Sequence, residues 1–282
     1  MSGNWASGSG TLESRSLESR SRRDEDASGG MPDRRALFGL RIDALTLEQS
    51  VDRCMAAVAA WRPIEVGVVN AAKIVRMRED PLLHDAVAGA DLVLADGQSV
   101  VWASRFLGAP LPERVAGIDL FTALLAAAER AGRSVYLLGA TREVLAGTVA
   151  EVRRRHPRLV IAGARDGYFA DGEAGTVADE IRASGADLLF LGMTSPKKEL
   201  FCARYGERTG ALVIHGVGGS FDVLAGLVRR APRGWQRLGL EWLYRMLQEP
   251  RRLGPRYLET NVKFISLTLT SRFRRQALRE TA

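Results

Sequence analysis

The chain of 282 residues is short of several things, and each shortage excludes a class of protein. Two cysteines, Cys54 and Cys202, are too few and too far apart for a disulfide framework or a CxxC metal knuckle. They fit a reducing compartment, as two small buried side chains. The three histidines, His84, His156 and His215, show no ligand spacing, so no metal site is assigned and no cofactor is expected. His84 and His156 read as surface residues; His215 stays undecided. No apolar run reaches the ~20 residues that cross a bilayer, and the N-terminus lacks a signal-peptide core. The expectation is a cytoplasmic protein that meets any membrane through its surface. P-loop, GxGxxG, GxSxG and HExxH patterns are absent as well.

What is present is an ordinary globular composition, 46% hydrophobic and 26% charged. The net charge of +7 is unevenly placed. Residues 1–35 hold six basic and six acidic side chains, and residues 36–232 hold 23 of each. Residues 233–282 hold eleven basic and four acidic, so the surplus lies in the last fifty residues. Three regions follow: a disordered N-terminal tail over 1–35, an α/β domain over 36–232 and a basic, amphipathic helical appendage over 233–282. The tail is Ser, Gly, Arg and Glu, with too few apolar residues to offset the entropy of ordering it. Its Asp24-Glu25-Asp26 matches a metal-binding DxD only superficially, because ligands need a fixed site.

Short runs of Val, Ile and Leu at 64–69, 92–95, 134–138, 159–162, 188–191 and 212–217 read as strands covered on both faces. Helical periodicity falls at 46–61, 98–107, 118–131, 142–156, 173–184 and 196–208. The alternation predicts a Rossmann-like, mostly parallel sheet with helices on both faces. Ligands of such sheets bind beyond the carboxyl ends of the strands. There the sequence collects Asn70, Asp96 with Gly97, the turn Gly139-Ala140-Thr141, the run SPKKE (195–199) and the run GVGGSFD (216–222).

Asp96 leaves an apolar strand directly into Gly97. A carboxylate there either serves as general base to a bound hydroxyl or caps the helix that starts at Gln98. Gly218 and Gly219, and separately Gly139, either bring backbone N–H groups to a phosphate or form tight turns. Lys197 and Lys198, two of only four lysines, stand near a helix start, against the local dipole, which an anion would relieve. Arg114, in a loop, has the fork geometry for phosphate.

In the appendage, Trp235, Leu238, Trp242 and Leu243 fall on one helical stripe with Arg237 and Arg245 elsewhere on the wheel. Arg251, Arg252 and Arg256 follow Pro250. Aromatic residues with arginine on an amphipathic helix suit a headgroup-level membrane surface; docking on the core or on a protein partner stays open. Nucleic acid is not expected, since no binding fold accompanies the charge.

Taken together, the runs ADLVLADG (90–97), LPERVAGIDL (111–120), GYF (167–169), SPKKE (195–199) and GVGGSFD (216–222) resemble the WecG/TagA/CpsF glycosyltransferases. So do Asn70-Ala71, RAP (230–232), LGLEWLYR (238–245) and QEP (248–250). The resemblance covers about 36–257. It implies inverting transfer of a sugar from a UDP-sugar to a polyprenyl-diphosphate-linked saccharide at the inner face of the cell membrane, without metal. It makes Asp96 the base and lets the appendage meet the membrane and supply arginines to the site. On that basis Asn70 and Gly97 are expected to line the sugar or acceptor site, and Tyr168 and Asp222 to contact the nucleotide. Gly139, Gly218, Gly219, Arg114, Lys198, Arg245 and Arg252 are expected around the diphosphate.

Two departures from the family pattern matter. Val68 stands where many members have Thr, and Lys198 where many have Gln. They leave N-acetylmannosaminyl and glucosyl transfer both open, the latter as in the GumM-like exopolysaccharide branch. Oligomeric state is also open, a homo-oligomer included. The rival readings are a non-catalytic nucleotide-sugar or lipid-binding module, and a dinucleotide oxidoreductase that lacks its fingerprint.

Overall fold

The computed structural model describes residues 33–248 and 250–280; the side chains of Arg237, Arg245, Arg252, Leu253, Pro255, Arg256 and 274–280 are not among those described. The DxD at 24–26 lies outside the described residues. The first element is a hairpin of β1 (Arg34–Leu37) and β2 (Leu40–Asp43), two residues ahead of the expected domain start. α1 (Leu47–Ala59) follows, closed at Thr46 by a capping box with Gln49.

A six-stranded sheet then alternates with helices. Its strands are β3 (Ile64–Val69), β4 (Leu92–Ala95), β5 (Ser134–Gly139), β6 (Val160–Arg165), β7 (Leu188–Gly192) and β8 (Val213–Gly216). They stand in the order β4-β3-β8-β7-β5-β6, and every pair is parallel. Parallel neighbours need crossovers. These are α2 (Ala71–Met77) and α3 (Pro81–Ala88), then α4 (Gln98–Phe106) and α5 (Gly117–Arg130). α6 (Arg142–Arg155), α7 (Ala174–Ser184) and α8 (Lys197–Thr209) complete them. α2 and α3 occupy a stretch where the hydrophobic pattern shows no clear helix.

Alternate strand residues face opposite layers. Val66, Val68, Leu92, Leu94, Leu137 and Phe190 pack with Leu120, Phe121 and Leu124 of α5 and Val144 of α6. On the other face Val69, Val93 and Ala95 meet Ile74, Leu83 and Val100, while Leu138, Leu189 and Leu191 meet Val177, Ile181 and Phe201. Burial on both faces, expected for every strand, fails for β6. Val160 and Ala164 are exposed, because β6 ends the sheet and has a partner on one side only. The opposite edge, β4, is shielded by the hairpin, whose buried Asp43 accepts from Val93 N–H at 2.8 Å and from Arg34 at 2.9 Å.

After β8 come α9 (Ser220–Leu224), α10 (Arg233–Arg237), α11 (Glu241–Gln248) and α12 (Pro250–Glu280). The expected stripe through Trp235, Leu238, Trp242 and Leu243 does not form one helix face. Gly239, at φ +70°, breaks the segment into α10 and α11. Trp235 instead meets Tyr244 edge to face, and Trp242 meets Tyr257 in the same way. α12 docks on α2 through Phe264, which packs on Phe38 at 5.2 Å, and through Lys263 to Glu79 at 2.8 Å. Among the described residues no helix is long and apolar enough to cross a membrane. His84 is partly exposed, but His156 is not a free surface residue: it bonds Glu129 at 3.1 Å. Cys54 and Cys202 are both buried and free.

Candidate active site

The strand order sets the positions of the expected residues along one edge. Asp96 follows β4, Asn70 follows β3 and the 216–222 run follows β8. Beyond them stand 192–198 after β7, 139–141 after β5 and Tyr168 after β6. With ~4.8 Å between strands, Asp96 is next to Asn70 but ~24 Å along the edge from Tyr168. The structure therefore groups Asp96, Gly97 and Asn70 and leaves Gly139 and Tyr168 at the far end.

Asp96 is half-buried and does not cap α4: that position belongs to Gly97, without a side-chain bond. Its Oδ1 accepts instead from Gly117 N–H at 3.0 Å, the first amide of α5, which has no partner inside its own helix. Oδ2 has no hydrogen-bond partner among the described residues. Gly97 lets Asn70 approach: a Cβ there would lie 3.1–3.2 Å from Asn70 Cβ and Cα. Asn70 caps α2, its Oδ1 accepting from Lys73 N–H at 3.0 Å.

Behind this corner is a buried charge cluster. Lys73 donates to the Val68 carbonyl and to Glu199 Oε1, both at 2.7 Å. Lys198 reaches the same Oε1 at 2.9 Å, and its stem lies where any side chain at Gly216 would go. Glu199 Oε2 is buried with no partner among the described residues, beside a cavity of about 20 Å³ lined by Lys73, Lys198, Glu199, Cys202 and Gly216. Burial would raise the Glu199 carboxyl, but the two ammonium groups outweigh it and hold the pKa at about 2. Burial, then Lys198, pull Lys73 down, while Glu199 and Asp96 push it back up. Lys198 thus spends its charge on Glu199 rather than standing at the surface for a phosphate. His215 is fully buried, and burial pulls its pKa down to about 4.

The glycine turns differ in availability. At Gly139, φ is +141° and a Cβ would lie 2.4 Å from the Gly192 carbonyl carbon. Ala140 N–H donates to Gly192 O, and Thr141 caps α6. That turn is consumed by packing, so the expected phosphate role is not supported there. Gly218, at φ +54°, gives its N–H to Leu191 O at 3.2 Å. Gly219 N–H has no such carbonyl partner among the described residues, and the Asp222 carboxylate stands beside it. Tyr168 is 77% exposed.

Arg114 is not open to solvent either. It pairs with Glu241 of α11 at 2.8 Å, and Arg230 pairs with Asp119 at 2.5 and 2.8 Å and with Glu241 at 3.2 Å. This four-residue lattice ties the appendage to the start of α5. Gly239 lies on Gln98, two residues from Asp96, so closely that a Cβ would meet Gln98 Cγ at 2.3 Å. The appendage thus borders the Asp96 corner. The side chains of Arg245 and Arg252, expected at the site, lie outside those described. Among the described residues no three His, Cys, Asp or Glu side chains are grouped to hold a metal ion.

Sequence reasoning missed Lys73, Glu199 as a partner, and the Asp119–Arg230–Glu241 lattice. A signal for Lys73 existed: it is one of four lysines and stands three residues after Asn70. The lattice's Asp119–Arg230 and Arg114–Glu241 pairs join residues more than a hundred positions apart and have no local signal.

The chain is 41% identical over 174 residues to the N-acetylglucosaminyldiphosphoundecaprenol N-acetyl-beta-D-mannosaminyltransferase of Bacillus spizizenii, covering 62% of this chain and 67% of the relative. The model of the glycosyl transferase WecG/TagA/CpsF family matches residues 35–278, which takes in the sheet, the Asp96 corner and most of the appendage. The chain belongs to the WecG/TagA/CpsF glycosyltransferase family.

Proposed function

We propose that this protein is an inverting glycosyltransferase that moves a sugar from a UDP-sugar to a polyprenyl-diphosphate-linked saccharide, with Asp96 as the general base. The carrying observation is the state of Asp96: one carboxylate oxygen is fixed by the Gly117 amide and the other has no partner among the described residues, at a half-buried strand end. A base must be oriented and yet keep a lone pair for the proton it takes. The relative named above acts on a diphosphoundecaprenol-linked N-acetylglucosamine, which supports the acceptor class.

In this mechanism the acceptor hydroxyl gives its proton to Asp96 as its oxygen attacks the anomeric carbon, and UDP leaves from the opposite face. The departing charge draws on Gly219 N–H and on Arg114 and Arg230, whose cations are now shared with Asp119 and Glu241. The family resemblance adds Arg245 and Arg252 of the appendage to this set. Such fixed donors stabilise charge that develops in the transition state. Lys198 acts from behind, holding Glu199 and Gly216 in place.

α12 supports a peripheral seat on the inner face of the membrane. Leu258, Val262, Ile265, Leu269 and Phe273 form an outward stripe at helical spacing, each 45–70% exposed. Asp96→Asn is expected to lower turnover by ~10²-fold with UDP binding kept. Sugar transfer to a lipid-linked acceptor, screened across UDP-sugars, measures it, and near-normal transfer removes Asp96 from the role. Deleting residues 250–282 is expected to abolish liposome association; unchanged association refutes the membrane seat.

A further inference from the structure

We propose that His215 is a positioning residue for Asp96, acting through Gly117; this rests on the reading of Asp96 as the base. His215 sits in β8, level with Val66 of β3 and Phe190 of β7, and is sealed from solvent. Its ring stands edge-on to Phe190 at 6.4 Å. Nε2 lies 3.1 Å from the Gly117 carbonyl oxygen. A carbonyl only accepts, so Nε2 carries the ring proton. Nδ1 is buried and has no hydrogen-bond partner among the described residues, while the Val66 main chain acts on the ring to raise its pKa against the larger effect of burial.

Gly117 therefore has two bonds of opposite sense. Its carbonyl accepts a hydrogen bond from His215 Nε2–H, and its own N–H donates to Asp96 Oδ1 at 3.0 Å. α5 begins there with no side-chain cap, Ala116 standing at the cap position. The orientation of the first amide thus depends on what holds the residue from outside the helix. His215 is that anchor, rooted in the middle of the sheet, and Asp96 is what the amide aims. Among the described residues Asp96 and Lys198 are the charged groups that act on the imidazole, with opposite signs. A neutral ring on a short leash suits a positioning task, since a proton donor must stay a donor throughout turnover.

The test uses the full chain and the UDP-sugar that the donor screen selects. His215→Phe removes the donor and is expected to lower kcat about tenfold while the donor KM holds. His215→Gln, whose amide nitrogen reaches the place of Nε2, is expected to restore most of that loss. In an Asp96→Asn background His215→Phe is expected to add nothing, because the group it aims is gone. Equal losses for Phe and Gln, or losses that multiply with Asp96→Asn, overturn the proposal. Thermal melts show whether each variant is folded. Should His215→Phe not fold, nitrogen-15 shifts of the wild-type ring decide: an Nε2–H tautomer is expected, and an Nδ1–H tautomer overturns it. Full turnover by Asp96→Asn alone sinks the base reading instead, so the two failures are distinguishable.

Discussion

The two ends of the strand-end crevice make an instructive pair. At the β5–β6 end, glycines and amides bond one another: Gly139 presses on Gly192, Ala140 N–H meets Gly192 O and Gly167 N–H meets Ala140 O. At the β4–β3–β8 end and at the neighbouring β7 loop, polar side chains are buried and incompletely partnered. The three buried side-chain atoms without partners among the described residues, Ser195 Oγ, Glu199 Oε2 and His215 Nδ1, all belong to this half. A glycine turn reports how closely two backbones must pass. A buried, half-satisfied charge reports that something other than stability is being served, since each such atom costs free energy.

The contrast is breakable by measurement, beginning with the largest effect. Glu199→Gln leaves Lys73 and Lys198 buried with only a neutral partner, and is expected to destabilise the protein by ~3–5 kcal/mol in denaturant titration. A silent substitution there would erase the difference between the ends. Its acid behaviour is also specific. The wild-type carboxyl, held at about 2 against an ordinary 4.5, contributes stability above pH 4.5 that is lost as the pH falls towards 2. The Gln variant should lack that loss.

His215 supplies the next effect. Its folded pKa, lowered by burial to about 4 from 6.5, means that the unfolded chain binds the proton more readily. Stability is therefore complete above pH 6.5 and declines by ~3 kcal/mol as the pH falls to 4. Melts of His215→Gln over the same range should be flatter, and an unchanged slope would show that the imidazole titrates freely. The Asp96→Asn loss of turnover, ~2.7 kcal/mol in barrier, comes after these. Smallest is Tyr168→Ala at the opposite end, expected within ~0.5 kcal/mol in stability. A clear loss of UDP binding in that variant would bring the β6 end into the site and blur the comparison.

Much of the framework was legible because strands and helices announce themselves locally. The six strand runs and the major crossover helices agree with the structure within a residue or two at most boundaries, as hydrophobic period and turn residues direct. α2 and α3 were not, since Ala71-Ala72-Lys73 and Pro81-Leu82-Leu83 are too short to show a period before the next turn. Asp96 was legible as a strand-end carboxylate, but its alternative role as a cap was settled only by where Gly97 and Gly117 stand. Lys198 and Arg114 looked like open cations because sequence lists charges without their counter-ions. Glu199, adjacent in sequence, and Glu241, 127 residues away, provide them.

By itself the sequence determined the parallel α/β alternation, the cationic appendage and the strand-end position of Asp96, all of which follow from local period, local composition and the short turn after an apolar run. Tertiary structure alone decided which strands are neighbours. From that order follow the distance between Asp96 and Tyr168, the pairing of Lys73 and Lys198 on one carboxylate, and the burial that keeps His215 neutral. Contacts between residues far apart in the chain depend on crossover topology and on desolvation, and neither is written in any short stretch of residues.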